Sequence, residues 1–226
     1  MIVTVQLADL GVRGAVSSLA RRLDLSDVPG LRSAETALLA PLAANRPPPI
    51  GRVGLIAFWD DDSAADRFVA GHPVGRRFDG GVRAHLRPLR AYGSWPGLPD
   101  DVPTGRAIVH EGPVVVLTLA RIRASQTIRF ARTSRPAEKA ATEHEGMIWG
   151  TAAARLPFLA TISIWVDAQA AAGYAYGKQR PAHHDAIERQ RVKDFHRESA
   201  FIRFAPTRIT GAIHGSNPFD AADMER

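Results

Sequence analysis

Residues 53–60 read Val53-Gly54-Leu55-Ile56-Ala57-Phe58-Trp59-Asp60, and residues 160–167 read Ala160-Thr161-Ile162-Ser163-Ile164-Trp165-Val166-Asp167. Each is an apolar run that ends on tryptophan, meets an acidic residue, and passes into alanine-rich sequence carrying one aromatic, Phe68 or Tyr174. Short apolar runs bounded by turn formers read as buried strands. A carboxylate ahead of an alanine-rich run reads as a helix start, because it accepts from the N–H groups that the first turn leaves unpaired. Asp60, Asp61, Asp62 and Ser63 supply such oxygens before Ala64–Ala70, and Asp167 supplies one in the second passage. The two passages are one motif used twice.

The flanks extend the repeat. In the first part, Ile2–Leu7 reads as a strand and about Val12 to Leu23 as a helix. Pro29-Gly30 turns the chain before Leu31-Arg32, Pro47-Pro48-Pro49 breaks it, and Val82–Leu89 alternates as a closing strand. In the second, Val114–Leu119 is a strand, and Ser125 caps a helix through Phe130 towards Ala141. Met147-Ile148-Trp149 is a short strand, a late helix runs from about Ala182 to Ser199, and Phe201–Phe204 is the last strand. Each half therefore reads β-α-β-β-α-β, the ferredoxin-like order. One such half leaves a sheet face uncovered, so two are expected to pack their sheets face to face. The expectation is a single α+β domain over residues 1–211, with halves 1–92 and 112–211, a Gly-, Pro- and Asp-rich connector 93–111, and a tail 212–226.

Composition narrows the function classes. With 45% hydrophobic and 23% charged residues in 226, the chain is globular rather than disordered or fibrous. No apolar run approaches the ~20 residues of a transmembrane helix, and Met1–Leu7 lacks the basic flank and long apolar core of a signal peptide. The reading is a cytoplasmic protein without a transmembrane segment. The net charge of +6 comes from dispersed arginines, among them Arg13, Arg52, Arg83, Arg121, Arg155 and Arg203. They form no dense block and have no regular aromatic interleaving, so nucleic acid is not an expected partner.

Cysteine is absent. That excludes disulfides, zinc–thiolate sites, iron–sulfur clusters, cysteine nucleophiles and thiolate-held haem, leaving eight histidines as the strong nitrogen ligands. Glycine-rich nucleotide loops and a serine nucleophile elbow are also missing; Gly211-Ala212-Ile213-His214-Gly215 follows the last strand without a helix. The densest histidine feature is Pro181-Ala182-His183-His184-Asp185-Ala186-Ile187. At helical spacing His183 falls between Ala186 and Ile187 on an apolar strip, while His184 falls towards Glu188, Arg191 and Phe195. Adjacent histidines do not face one ion along a helix as an i, i+4 pair does. His183 is thus either a structural core histidine or the ligand of a cofactor that needs one protein nitrogen, for which haem is the main example. His196 beside Arg197 and Glu198, His72 before Pro73, and His144 between Glu143 and Glu145 read as surface or turn residues.

Several stretches together carry a resemblance: Gly112-Pro113-Val114 through Arg121-Ile122-Arg123, Thr161–Trp165, Tyr176-Gly177, His183 with Ala186-Ile187, and Arg203-Phe204. With Pro29-Gly30-Leu31-Arg32 and Phe58-Trp59 from the first half, they resemble the spheroidene monooxygenase family of carotenoid-cluster enzymes over most of residues 1–205. The chain departs from that pattern at Gly150-Thr151-Ala152-Ala153, where an acid is expected. The resemblance implies a dimeric-α+β-barrel-like fold, haem iron as cofactor with His183 as its axial ligand, and oxygenation of a small apolar or amphipathic substrate. An oxygenase of this kind also needs an electron donor. If haem binds, Arg129, Arg132 and Arg155 are candidates to meet its propionates, and Trp149 to wall its pocket. A haem-dependent non-oxygenase, such as an aldoxime-dehydratase-like enzyme, and a haem-free α+β barrel stay open as alternatives. Tandem halves complete a barrel within one chain, so a homodimer is permitted but not required.

Overall fold

In the computed structural model, residues 1–43, 50–176, 196–212 and 217 are described. Eight antiparallel strands close into one barrel. They are β1 (Ile2–Asp9), β2 (Leu31–Pro41), β3 (Arg52–Trp59), β4 (Val82–Gly93), β5 (Val114–Ile122), β6 (Met147–Arg155), β7 (Phe158–Trp165) and β8 (His196–Thr210). Helices α1 (Gly11–Ala20), α2 (Asp62–Gly71), α3 (Pro73–Arg76), α4 (Thr127–Thr142) and α5 (Ala168–Tyr176) lie between strands in sequence. Among the described residues, no helix is long and apolar enough to cross a membrane.

Around the barrel the strands run β4-β1-β3-β2 and then β6-β7-β5-β8, with β8 returning to β4. Numbered within its own half, each set has the same order. The sets join edge to edge, through β2–β6 pairs such as Leu39↔Ala153 and β4–β8 pairs such as Ala84↔Ile209. Because side chains alternate across a strand, one face of every strand enters a common core. Val3, Val5, Leu7, Ile56, Phe58, Leu86, Leu117, Leu119, Ile162, Ile164, Ile202 and Phe204 fill it. At about 25 cal/mol per Å² of apolar surface removed from water, this core is the main stabilising term of the fold.

The repeat seen in sequence has a physical counterpart. Trp59 and Trp165 both point outward, each against the aromatic of the helix that follows its strand. Trp59 meets Phe68 and Trp165 meets Tyr174, both at 5.1 Å between ring centroids. Each indole N–H finds a hydroxyl on its own sheet, Thr4 and Ser163 respectively, at 2.9 Å. Asp61 caps α2 by accepting from the Ala64 N–H, and Asp167 accepts from the Ala170 N–H.

Four expectations change. β2 fills the second-strand place of the expected order, but its extent was not read beyond Leu31-Arg32: Leu31–Pro41 mixes alanine, leucine and glutamate without clean alternation, and becomes a strand because its edges are paired, by β3 and β6. Ser125 does not cap α4; it sits in a 3₁₀ turn (Ala124–Gln126), and Gln126 precedes the helix without a side-chain cap bond. β4 and β6 outrun their expected ends at Leu89 and Trp149, reaching Gly93 and Arg155. The late helix does not reach Ser199: residues 196–199 are strand, with His196, Glu198 and Ser199 paired to Ile122, Arg121 and Ala120 of β5. The rest of that expected helix, 182–195, lies outside the described residues.

Candidate functional site

The two outer faces of the barrel differ. On the first half, outward residues of β1 and β3 (Thr4, Gln6, Leu55, Ala57 and Trp59 among them) are all buried, covered by Ala15 of α1 and Ala64, Ala65 and Phe68 of α2. On the second half, the described residues Val114, Trp165 and Ala171 form a buried cluster at the end nearest α5. Further along the same outward rows Val116, Thr118, Thr161 and Ala152 are half-buried, and Phe201 is exposed beside the still more exposed Tyr92.

Beside this partly open face lie two buried arginines. Arg90 on β4 and Arg203 on β8 are cross-strand partners, and each is only 6% exposed. Local sequence explains their direction. The β4–β8 ladder shifts register between Pro88 and Arg90, where proline has no N–H to donate. After the shift Leu89 packs with Trp165 and Val114, and Arg90 turns to the end of α5. The Arg90 Nε donates to the Thr104 carbonyl at 3.2 Å, and one of its Nη atoms donates to the Tyr176 hydroxyl at 2.8 Å. Arg203 donates to the Ala171 carbonyl at 3.5 Å. The guanidinium carbons of Arg90, Arg106 and Arg203 stand 5.8, 5.1 and 5.7 Å from the Tyr176 ring centroid. Among the described residues no carboxylate pairs with Arg90, Arg106 or Arg203. Burial pushes the Arg203 guanidinium below its usual pKa, with Tyr176 opposing that shift and the neighbouring Arg90 adding to it. Buried charge is normally paired. Two buried cations without a carboxylate, one more at the rim, and a phenol between them form an acceptor for an anion.

The residues singled out from sequence do not converge in this way. Arg129 is exposed on α4, and Arg132 lies one turn further along the same helix. Arg155 is half-buried at the β6–β7 turn. Trp149, at the other end of β6, pairs with Ile164 and packs against the barrel core rather than the outer face. His183 and His184 lie outside the described residues, in the stretch between Tyr176 and His196. His144, expected at the surface, is half-buried: its Nδ1 accepts from the Gly146 N–H, and its ring stands edge-on to Trp165 at 5.3 Å. His72 is a turn residue, as read, accepting from the Val74 N–H at 3.2 Å.

Sequence reasoning missed Arg90, and took Tyr176 and Arg203 only as parts of motifs. A signal was present: Leu89-Arg90-Ala91 and Ile202-Arg203-Phe204 each set one arginine between apolar residues on a strand. It also missed His85, 1% exposed on β4, whose Nδ1 lies 2.7 Å from Asp62 Oδ1 of α2. Arg208 sits 2.9 Å from the His85 Nε2 and 2.5 Å from Asp66 Oδ1. At one barrel end Arg121 bridges Glu35 (2.7 Å) and Glu198 (2.5 Å) and lies 4.8 Å from the Trp95 ring centroid. Beside it the connector, through Trp95, Leu98 and Val102, borders a cavity of about 350 Å³ that Glu198 also lines.

This architecture defines a closed antiparallel α+β barrel with helices on its outside. No protein-family model matches the chain. It is 33% identical over 174 residues to the spheroidene monooxygenase of Rubrivivax gelatinosus, covering 74% of this chain and 65% of that protein. It is 26% identical over 174 residues to the spheroidene monooxygenase of Cereibacter sphaeroides, covering 74% and 53% respectively. The chain is thus similar in sequence to spheroidene monooxygenases, the family its motifs resemble, and spans less than two thirds of the length of either protein. Among solved structures, an aldoxime dehydratase aligns with a TM-score of 0.49 at 12% identity, over 91% of this chain and 81% of that one. An anthrone oxidase-like protein aligns with a TM-score of 0.38 at 13% identity, over 93% and 92%. Neither likeness bears on the chemistry of this chain.

Proposed function

We propose that this protein is a haem-dependent monooxygenase acting on a small apolar or amphipathic substrate. The observation that carries the proposal is the 33% identity to a spheroidene monooxygenase across three quarters of the chain. The domain reading belongs to the same proposal: residues 1–211 form one unit of two ferredoxin-like halves with sheets facing each other, joined by 93–111 and followed by a tail.

The residues present fit a haem. A haem is an apolar plate with two carboxylates at one edge, and the outer face of the second half offers matching chemistry. Val116, Thr118, Thr161 and Phe201 form a partly open sheet surface, and buried Arg90 and Arg203 lack a carboxylate partner among the described residues. His183 belongs to the sequence between Tyr176, beside those arginines, and His196 of β8; in this proposal its imidazole would hold the haem iron. Arg129, Arg132 and Arg155, first considered for the propionates, give way to Arg90 and Arg203, and Trp149 is assigned to the core. Bound haem iron supplies the activation of oxygen. The protein's part is to bind and orient: the arginines hold the carboxylate edge, the half-buried sheet residues exclude water from the plate, and Tyr176 keeps the Arg90 guanidinium in place through its hydroxyl. An external electron donor completes the oxygenase reaction.

Reconstitution with haemin tests this. The expected result is a Soret band that His183→Ala weakens or shifts, and isotopic oxygen from O₂ in the product. Absence of a Soret band in the wild type rejects the haem reading. A band that His183→Ala leaves unchanged rejects the ligand assignment. Turnover without incorporation of oxygen points to a non-oxygenase haem enzyme instead.

A further inference from the structure

The buried arginine pair is itself a binding site. We propose that Arg90 and Arg203, with Arg106 at the rim and Tyr176 between them, form a carboxylate-binding site that selects ligands by their anionic edge. In taking a haem propionate as the natural source of that carboxylate, the inference rests on the proposed function; the site itself is argued from geometry alone.

The geometry has three parts. First, both arginines are held in place before any ligand arrives. Arg90 is fixed by the Thr104 carbonyl and the Tyr176 hydroxyl, and Arg203 is tethered, at greater length, to the Ala171 carbonyl. These bonds use one Nε–H and one Nη of Arg90 and one Nη of Arg203. A guanidinium carries five N–H donors, so most of the donors of the pair remain for a ligand. Second, among the described residues none of the acceptors they meet is charged. Backbone carbonyls and a phenol satisfy donors but leave about two units of positive charge uncompensated in a site from which water is largely excluded. A pair that served only to hold β4, β8 and α5 together would be cheaper as an arginine–glutamate bridge, the solution this chain uses at Arg121 with Glu35 and Glu198. Third, the site is reached from one side. Arg106 and Tyr176 are both exposed, so an anion can approach over the Tyr176 ring, and the aromatic pair Tyr92 and Phe201 continues the same outward face. A forked donor pair facing a planar acceptor is the arrangement that recognises a carboxylate in two-bond fashion.

The test compares haemin with haemin dimethyl ester, whose carboxylates are capped, on the full chain by Soret titration and tryptophan quenching. The wild type is expected to bind haemin at least tenfold more tightly than the ester. Arg90→Gln/Arg203→Gln should lose about that factor for haemin, keep its affinity for the ester, and so discriminate less than twofold. Arg203→Lys, which keeps the charge but not the fork, should fall between. Equal binding of haemin and ester by the wild type overturns the carboxylate site while leaving the haem reading standing. If the wild type binds neither porphyrin, the proposed function fails, and inorganic phosphate decides the site alone. A rise in melting temperature with phosphate that the double variant lacks keeps the anion site with another source of anion, whereas no rise overturns it. Should the double variant fail to fold, Arg203→Met provides the same comparison with one charge removed.

Discussion

Replacing Arg203 by methionine is expected to raise the stability of the ligand-free protein. Arginine 203 is 6% exposed, and its polar partners are one carbonyl at 3.5 Å and the Tyr176 ring at 5.7 Å. Taking an ion of this kind out of water costs several kcal/mol even after relaxation. A hydrogen bond at the long limit and a cation–π contact return roughly 1–3 kcal/mol between them. The neighbouring Arg90 guanidinium adds repulsion of the same sign as the shortfall, as the lowered pKa of Arg203 also indicates. Methionine keeps the apolar stem that packs between α5 and β8 and removes the charge. The balance is a gain of about 1–2 kcal/mol, which for a chain of this size is about 3–6 °C in Tm. Thermal and urea denaturation of the wild type and Arg203→Met, in buffer free of phosphate and porphyrin, measure it. Adding haemin should reverse the order, because a ligand stabilises in proportion to how tightly it binds the folded state. A methionine variant that is less stable than the wild type by 1 kcal/mol or more without ligand would refute the reasoning, since the arginine would then be a structural member with its charge satisfied.

Two further expectations concern the scaffold. Burial works against the charge of Arg121, yet the hydrogen bonds and charges of Glu35 and Glu198 outweigh it and raise its pKa; Arg121→Met leaves the two carboxylates facing each other and should cost about 2 kcal/mol, less than a fully buried pair because the site is partly wet. The urea midpoint measures that loss, and Glu35→Gln in the Arg121→Met background should recover part of it; no loss in the single variant counts against the bridge. His85 is held below its usual pKa by burial, with the hydrogen bond that its ring donates to Asp62 opposing and Arg208 adding to the depression. A lowered histidine pKa in the folded state means that its contribution to stability is complete above the unfolded value of about 6.5 and declines as pH falls through that value towards the folded pKa. Tm measured across that window should therefore drop for the wild type more than for His85→Gln, with Asp62, Asp66, Arg83 and Arg208 as the charged groups around the ring; identical profiles would remove His85 as the cause.

Much of the fold was legible because it rests on short-range pattern. The strand–Trp–acid–helix passages at 53–62 and 160–168 are where alternation, a capping carboxylate and an alanine-rich run agree, and there sequence and structure coincide within a residue or two. β2 and the start of β8 were not legible for a different reason. Leu31–Pro41 carries good helix formers, and His196–Ser199 continues a helical-looking charged stretch, so local preference points away from strand. Pairing decides these segments, and that information lies in β3 and β6 for β2 and in β5 for the start of β8, far along the chain. The candidate site was hidden by the same non-locality. Arg90 and Arg203 are 113 positions apart and meet Tyr176 only when the barrel closes. In a list of dispersed arginines nothing marks them except apolar neighbours on either side.

The asymmetry between the halves ties these points together. Both halves use the same strand order, and both place an outward tryptophan 5.1 Å from the aromatic of the following helix. The first half then completes its cover: Trp59 and Phe68 belong to a cluster of thirteen buried residues beneath α1 and α2. In the second half the described residues of the equivalent cluster are Val114, Trp165 and Ala171. Across the β4–β8 seam lie the buried Arg90 and Arg203, with no carboxylate partner among the described residues, whereas the buried His85 on the same outward row of β4 meets Asp62 of α2. A sheet face that only had to be stable would be closed as the first half is closed, since apolar burial is favourable and unpaired buried charge is not. The seam of β4 and β8 departs from that solution beside Tyr176, where α5 ends. Buried charge without a carboxylate among the described residues, on chemistry that suits an anion, is the pattern expected of a seam that serves a ligand rather than stability alone.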